Sequence, residues 1–323
     1  MNPTDTMTSP RLGTVDGSLL ESLTQASPGG VRSRASDRLA MAHDASHYLL
    51  TPQAVVSPAN LAEVGALLAA SARHGVPLTF RSGGTSLSGQ ASTDGILVDT
   101  RRHFHDIEVL DGGARVRVQP GATVRHVNAR LAPYGTKLGP DPASETACTI
   151  GGVVANNSSG MACGTEFNSY RTLESAVLVL PSGTVIDTGA PDAEARLRAM
   201  EPHLYQGLAR LRDRVRNNTT SVQTVRRLYS IKNTMGYGLN SFVDHDTPVD
   251  ILTHLVIGSE GTTPPRDLPH HRQGSGSFPD LAGRANVAVS GRSDRCRQDP
   301  EDNALEATSE RLRHHFQRPI AGR

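Results

Sequence analysis

The stretch RSGGTSLSGQ, residues 81–90, follows the apolar run VPLTF at residues 76–80 and decides the fold prediction. A buried strand that leads directly into a loop of glycine and serine is typical of a backbone that binds an anion, because glycine permits a tight path and a close approach. Ser82, Thr85 and Ser86 can add hydroxyl donors. The loop lacks the spacing of a P-loop and of the G-x-G-x-x-G turn, and an ordinary glycine/serine turn stays open as the alternative.

The residues around this loop predict a β-α-β unit. AVVSP at residues 54–58 favours a short strand, and GILVDT at residues 95–100 favours the next one. Between them, residues 60–75 have an apolar helical stripe that begins at the N-cap residue Asn60 and ends at Gly75. We therefore expect a first α/β subdomain over about residues 44–119.

The following part of the chain alternates between hairpins and helices, which predicts a second α/β subdomain over about residues 120–262 and an α+β fold class. Hairpin turns are predicted at residues 111–113 and 181–183, helices at residues 122–135 and 192–216, and a helical turn, a strand and a glycine loop at residues 248–262.

The two ends of the chain lack a sustained pattern. Residues 1–43 are polar, and we predict a mobile segment there. Residues 263–323 have few large apolar side chains and many Arg, Pro, Gly and Ser, so they cannot bury enough surface to offset the entropy of ordering. We expect this tail to be disordered or to be the product of a shifted reading frame.

A second candidate site is the long loop of residues 139–164. It combines Pro-Asp-Pro at residues 140–142, Thr-Ile-Gly-Gly at residues 149–152 and Asn-Asn-Ser-Ser-Gly at residues 156–160. Loops of this length are commonly functional, although a purely structural Ω-loop is the alternative. A third motif, VIGSEGT at residues 256–262, is by itself an ordinary strand-to-turn junction.

Taken together and in this order, the three motifs resemble those of the FAD-linked oxidases of the vanillyl-alcohol-oxidase and p-cresol-methylhydroxylase type, and most of all the D-lactate and D-2-hydroxy-acid dehydrogenases. The resemblance covers about Asp44 to Thr262. It implies an FAD-binding domain of two α/β subdomains with FAD between them. The implied cofactor-binding residues are Arg81, Ser82, Gly83, Gly84, Thr85, Ser86, Leu87, Pro140, Asp141, Pro142, Thr149, Gly151, Gly152, Asn156, Asn157, Ser158, Ser159, Gly160, Cys163, Ile257, Gly258, Glu260 and Gly261.

The resemblance also implies a role for each group. Residues 81–86 would wrap the pyrophosphate of FAD, while residues 140–142 and 149–152 would line the isoalloxazine and ribityl side. Residues 157–160 with Cys163 would complete that wall, and residues 257–261 would approach the adenosine and the pyrophosphate. In relatives with covalent flavin a His follows the Gly-Gly pair; here Thr85 stands at that position, which implies noncovalent FAD.

In such enzymes a hydride passes from the α-carbon of a 2-hydroxy acid, such as D-lactate, to flavin N5, and the electrons pass on to a quinone, a cytochrome or an iron–sulfur domain. The family's further strand and substrate-binding domain do not follow Thr262 in this sequence, so no catalytic residue can be assigned. Two alternatives stay open: a catalytically inactive FAD-binding fragment, and an FAD-dependent alcohol or sugar oxidase.

Composition excludes several other classes. The net charge of +1 argues against a nucleic-acid partner. The three cysteines form no disulfide or metal pattern, so we expect a reducing, cytoplasmic location without a metal site. No apolar run approaches the about 18–20 residues of a membrane span, which leaves at most peripheral contact with the inner face of the membrane. The stretch KNTMGY at residues 232–237 is unusual for a plain loop, and the sequence assigns it no chemistry.

Overall fold

The computed structural model describes residues 15–234 and 236–260 and the backbone of residues 284–289. The helices are α1 Gly17–Ala26, α2 Ala35–Ala40, α3 Leu61–His74, α4 Val124–Leu131, α5 Ile150–Ala155, α6 Ser169–Thr172, α7 Ala193–Met200, α8 Pro202–Arg216, α9 Thr219–Tyr229, α10 Ser241–Asp244 and α11 Pro248–Leu255. The strands are β1 Val31–Arg32, β2 Ala54–Val56, β3 Leu78–Arg81, β4 Ile96–Asp99, β5 Ile107–Leu110, β6 Arg115–Val118, β7 Leu173–Val179, β8 Val185–Asp187 and β9 Arg284–Val289. The predicted α+β fold class is confirmed.

The first sheet has the order β1-β2-β4-β3, with β2 and β3 parallel to β4. Helix α3 connects β2 to β3, as the sequence predicts. The side chain of Asn60 accepts a hydrogen bond from the backbone of Glu63, and Gly75 takes the left-handed conformation that ends the helix. Because parallel strands share one carboxyl edge, the loop after β3 lies at that edge of the sheet.

The prediction of a mobile segment over residues 1–43 is wrong for residues 15–43. Helix α1 is capped by Asp16 and packs on α3 through Leu19 and Leu23, which are both buried. Strand β1 pairs antiparallel with β2. Residues 19–24 form a short amphipathic pattern, but its partner α3 lies about forty residues further along the chain, so the pattern does not by itself indicate this packing.

The second sheet is antiparallel and has the order β5-β6-β9-β7-β8. Both predicted hairpins, β5-β6 and β7-β8, belong to it. The expected subdomain boundary at residue 119 is therefore wrong, since the sheets separate between Asp99 and Ile107. The hairpin β5-β6 belongs to the second sheet because Val116 and Val118 pack against the apolar face of α4.

Strand β9 lies in the tail for which the sequence predicts no pattern, and that prediction is wrong for residues 284–289. The strand lies between β6 and β7 and pairs with both. Without it, the facing edges of β6 and β7 would carry backbone N–H and C=O groups without hydrogen-bond partners in the sheet. The prediction for the remaining tail residues lies outside the described part of the chain.

A second apolar cluster joins β7 and β8 to the helices α7, α8, α10 and α11, with Leu178, Ile186 and Leu252 fully buried or nearly so. The predicted strand at residues 256–257 is wrong: Pro248 and the cap of Thr247 start α11, and the chain then turns. An apolar run of this length does not distinguish a buried strand from a buried helix. Among the helices that the structure describes, none has the length and apolar character to cross a membrane.

Candidate functional site

The loop after β3 and the segment that leads into α5 face each other across a cleft of about 280 Å³. The structure thus brings together the first two sequence motifs, which lie about sixty residues apart. The cleft is lined by Ser82, Gly83, Gly84, Thr85, Ser86, Leu87, Ser88, Ala91, Ser144, Cys148, Thr149, Gly152, Val153, Asn156 and Ser158.

Direct contacts dock the two walls of the cleft at its base. The backbone N–H of Gly83 donates to Thr149 Oγ1 at 3.1 Å. A Cβ at Gly83 would lie 2.7 Å from the carbonyl oxygen of Ala147, so glycine is required for this approach. The Ser82 hydroxyl donates to the carbonyl of Pro120 at 2.9 Å. The base of the loop is therefore fixed before any ligand binds.

Beyond Gly83 the loop presents consecutive backbone amides. Within the described residues, the N–H groups of Gly84, Thr85, Ser86 and Leu87 have no hydrogen-bond acceptor. Gly84 has a φ of 64°, the left-handed conformation that glycine adopts without strain. Successive unpaired amides at a loop of this kind form a concave site for an anion.

Arg81 points away from the cleft and binds the preceding segment. Its guanidinium donates to the carbonyl oxygens of Met41, at 3.0 Å, and of His43. Burial, helped by the nearby Arg101, lowers the pKa of Arg81. The N–H of Ala45 donates to the carbonyl of Gly84 at 2.9 Å. Arg81 therefore supports the loop from behind, and its predicted contact with the cofactor stays a prediction.

The long loop is partly helical, which corrects the prediction that residues 139–164 form a loop: α5 lies within it. A methyl group placed on Gly152, in α5, would have only Thr149 Oγ1 within 4 Å, at 3.9 Å, so this face of the helix is open to the cleft. The Asn156 side chain donates to Gln90 Oε1 at 3.2 Å and thereby ties α5 to the end of the first loop.

Other predicted residues of the long loop hold it together and do not line the cleft. The N–H of Asp141 donates to the carbonyl of Ser159 at 3.1 Å, and the Asp141 carboxylate accepts from the N–H of Ala162 at 3.3 Å. Gly160 has a φ of 74°, and a Cβ there would collide with the carbonyl oxygen of Asp141. Pro140 lies against α5, and Pro142 accepts the N–H of Glu145.

Asn157 is occupied by two contacts within the protein. Its side-chain N–H donates to the carbonyl of Asn233 at 3.0 Å, and its side-chain oxygen accepts from the N–H of Tyr170 at 3.3 Å. The ammonium group of Lys232 donates to the carbonyl of Gly160 at 2.6 Å. The loop that carries Ser158 is thus attached from its outer side.

The third motif docks on the end of α5, one helix away from the cleft. The N–H of Gly258 donates to the carbonyl of Val154 at 3.1 Å, and the N–H of Glu260 donates to that of Ala155 at 2.7 Å. Ile257 is buried in the core beneath α5. Gly151 donates its N–H to the carbonyl of Pro120 at 2.9 Å. The predicted residue Gly261 lies outside the described residues.

Burial raises the pKa of both described cysteines, Cys148 in the cleft and Cys163 near Asp141. Both are therefore protonated thiols at neutral pH.

Five residues that line the cleft, Cys148 among them, were not predicted as site residues from the sequence. Cys148 and Ser144 lie inside the motif that carried the resemblance, so that motif was the signal for them. The five omitted residues are Ser88, Ala91, Ser144, Cys148 and Val153.

Comparison with known proteins agrees with this geometry. Residues 52–189 match the family described as the FAD binding domain. The chain carries the FAD-binding domain of the FAD-dependent oxidoreductases. The residues that form both walls of the cleft fall within this matched range. The resemblance found in the three sequence motifs is confirmed.

The relatives of this FAD-binding domain are flavin dehydrogenases and oxidases. The chain is 30% identical over 244 residues to a D-2-hydroxyglutarate dehydrogenase of Pantoea ananatis, covering 72% of this chain and 23% of the relative. It is 34% identical over 230 residues to a D-lactate dehydrogenase of Archaeoglobus fulgidus, covering 68% and 39%. A solved chitooligosaccharide oxidase is similar with a TM-score of 0.47 and 24% identity, over 53% of this chain and 36% of that one. The chain spans about a quarter of the length of the D-2-hydroxyglutarate dehydrogenases.

Proposed function

We propose that this domain binds FAD noncovalently, with the pyrophosphate against the amides of residues 84–87, in an oxidoreductase that acts on a D-2-hydroxy acid. The observation that carries the proposal is the row of four N–H groups at the wall of the cleft that have no acceptor among the described residues. Their residues are half-buried or, at Leu87, exposed, and successive backbone N–H groups that are free at a loop of this kind favour an anionic ligand.

The residues of the cleft fit this ligand. Among the residues that line it, none is an Asp or a Glu, so no carboxylate repels a pyrophosphate. The hydroxyl groups of Thr85 and Ser86 stand beside the free amides. The volume of about 280 Å³ is at the lower end of ligand pockets, which span roughly 300–1,000 Å³, so the cleft accommodates part of a dinucleotide.

Noncovalent attachment is supported by the groups that the cleft offers as nucleophiles. Thr85 stands where covalent relatives have a His, and the residues that line the cleft include no histidine. Cys148 lines the cleft, but burial raises the pKa of its thiol, which keeps the thiol protonated. A protonated thiol is a poor nucleophile, so this side chain does not favour a covalent bond to flavin.

When bound, FAD supplies a hydride acceptor, and the protein supplies placement and electrostatics. In this chain, Gly83 and Thr149 fix the base of the cleft, and Asn156 joins its two walls through Gln90. Val153 and Cys148, which are both almost fully buried, contribute to the apolar part of the lining.

The substrate class rests on the relatives. D-2-hydroxyglutarate, D-lactate and glycolate, which appear in the names of the relatives, are all 2-hydroxycarboxylates. We propose a D-2-hydroxy acid such as D-lactate for the intact enzyme, with the hydride leaving from its α-carbon.

An absorption spectrum before and after acid precipitation tests the cofactor. Release of flavin into the supernatant supports noncovalent FAD, whereas flavin retained in the pellet contradicts noncovalent attachment. Protein that stays colourless after incubation with FAD contradicts the whole proposal. For the substrate, anaerobic bleaching of the flavin band by D-lactate and not by L-lactate is the expected result.

A further inference from the structure

Lys232 has an unusual contact for a surface lysine. Only two of the 33 basic residues of the chain are lysines, Lys137 and Lys232. The ammonium group of Lys232 donates to the backbone carbonyl of Gly160 at 2.6 Å, across 72 positions of sequence. Its side chain is otherwise exposed, so this contact contributes mainly through the charged hydrogen bond and not through buried apolar surface.

Two further contacts attach the same segment to the long loop and to the third motif. The carbonyl of the next residue, Asn233, accepts from the side chain of Asn157 at 3.0 Å. The carbonyl of Gly236 lies against Gly258, where a Cβ would collide with it. The segment that contains Lys232 therefore rests on both the second and the third sequence motif.

The hydrogen bonds from this segment hold residues 157–163, which we name the wall loop. Ser158, in the wall loop, lines the cleft, and Gly160 follows two residues later. At its far end, Cys163 is buried and is under the electrostatic influence of Asp141 and Lys232. A displacement of Gly160 would therefore move a residue of the cleft on one side and uncover a thiol on the other.

We propose that Lys232 is a positioning residue that acts through the carbonyl of Gly160 and holds the wall loop in the conformation that completes the FAD cleft. Lys232 does not touch the cofactor in this assignment. The proposal rests on the proposed function, because it assigns the wall loop to the flavin site. It gives the KNTMGY stretch a role: it supports the wall of the cleft from outside.

The experiment compares three variants of the full chain with the wild type: K232M, K232R and the matched control K137M. Lys137 is exposed and, in the part of the chain that the structure describes, has no hydrogen bond or ion pair. Three quantities are measured: the FAD dissociation constant by fluorescence quenching, the rate of iodoacetamide labelling at Cys163 without FAD by peptide mass mapping, and the thermal midpoint. The thermal midpoint reports general loosening of the fold.

In K232M, iodoacetamide should label Cys163 about threefold to tenfold faster, and FAD should bind more weakly by a similar factor. The effect is of this size because a charged but exposed hydrogen bond contributes modestly to stability. K232R retains the charge and a donor and should recover most of both effects, whereas K137M should behave as wild type. The thermal midpoint should stay at the wild-type value in every variant.

Three results would overturn the proposal: wild-type labelling and FAD affinity in K232M, equal defects in K232R and K232M, or a lowered thermal midpoint together with faster labelling of Cys163. If the wild type itself fails to bind FAD, the proposed function is wrong. The labelling of Cys163 then still decides whether Lys232 holds the wall loop, because that measurement needs no cofactor.

Discussion

Replacing Gly152 by Ala should stabilise the protein and weaken its cofactor site at the same time. Gly152 lies inside α5, where glycine is unfavourable compared with alanine by about 0.5–1 kcal/mol. Within the described part of the chain, the nearest atom that a methyl group at this position would meet outside its own helix backbone is Thr149 Oγ1, at 3.9 Å. The FAD-free protein should therefore gain up to about 1 kcal/mol of unfolding free energy.

The same methyl group projects into the cleft between the two motif loops. A methyl forced into a packed contact typically costs about 1–3 kcal/mol, and each 1.4 kcal/mol is a tenfold change in affinity. We therefore expect FAD to bind G152A about tenfold or more weakly than the wild type. The measurements are urea unfolding of the FAD-free protein and a fluorescence titration with FAD.

The matched control is Gly207→Ala. Gly207 lies inside α8, and a methyl group there would have no atom within 4 Å. G207A should gain a similar unfolding free energy and retain the FAD affinity of the wild type. Unchanged FAD binding in G152A would refute the assignment of this face of α5 to the cofactor. A loss of stability in FAD-free G152A would contradict the statement that a methyl group at Gly152 has open space around it.

Three other predictions follow from the packing and the charges. Gly83→Ala places a methyl 2.7 Å from the carbonyl of Ala147 and should lower the unfolding free energy by about 1–3 kcal/mol, which unchanged urea midpoints would contradict. Asn60→Ala removes the cap of α3 and should cost about 1 kcal/mol in the same assay, whereas a wild-type midpoint would count against the cap. Burial lowers the pKa of the stacked pair His245 and His254, so the unfolded chain binds more protons below about pH 6.5 and the unfolding free energy should fall there as the pH falls. His254→Gln should flatten this pH dependence, and an equally steep profile would exclude the pair as its source.

Local signals account for the part of the fold that the sequence predicts. The β-α-β unit follows from the cap at Asn60, the stop at Gly75 and the apolar stripe between them, all of which act within one helix. The two hairpins follow from turn residues between apolar runs. The burial of α1 and the position of β9 depend on partners that are distant in the sequence, and no local pattern contains them.

In the candidate site too, some features follow from local signals and others depend on partners that are distant in the sequence. The glycines of the first loop were predicted because backbone access to an anion needs them, and the structure places Gly83 and Gly84 at the cleft. The direction of the Arg81 side chain was not predictable, since its acceptors lie about forty residues earlier, at Met41 and His43. Asp141 binds Ser159 and Ala162 within the long loop. Asn157 binds Asn233 and Tyr170 outside that loop, and these partners are set by the fold and not by the motif.

The packing of α1 on α3 determines where this protein can be shortened. The residues that match the FAD-binding family start at residue 52, yet Leu19 and Leu23 belong to the same apolar core as Leu67 on α3. A fragment trimmed to the matched residues would leave that face of α3 in water, and exposed apolar patches of this kind promote aggregation. The unit to express for biochemical work therefore begins before Val15, well outside the range that sequence similarity marks as the domain.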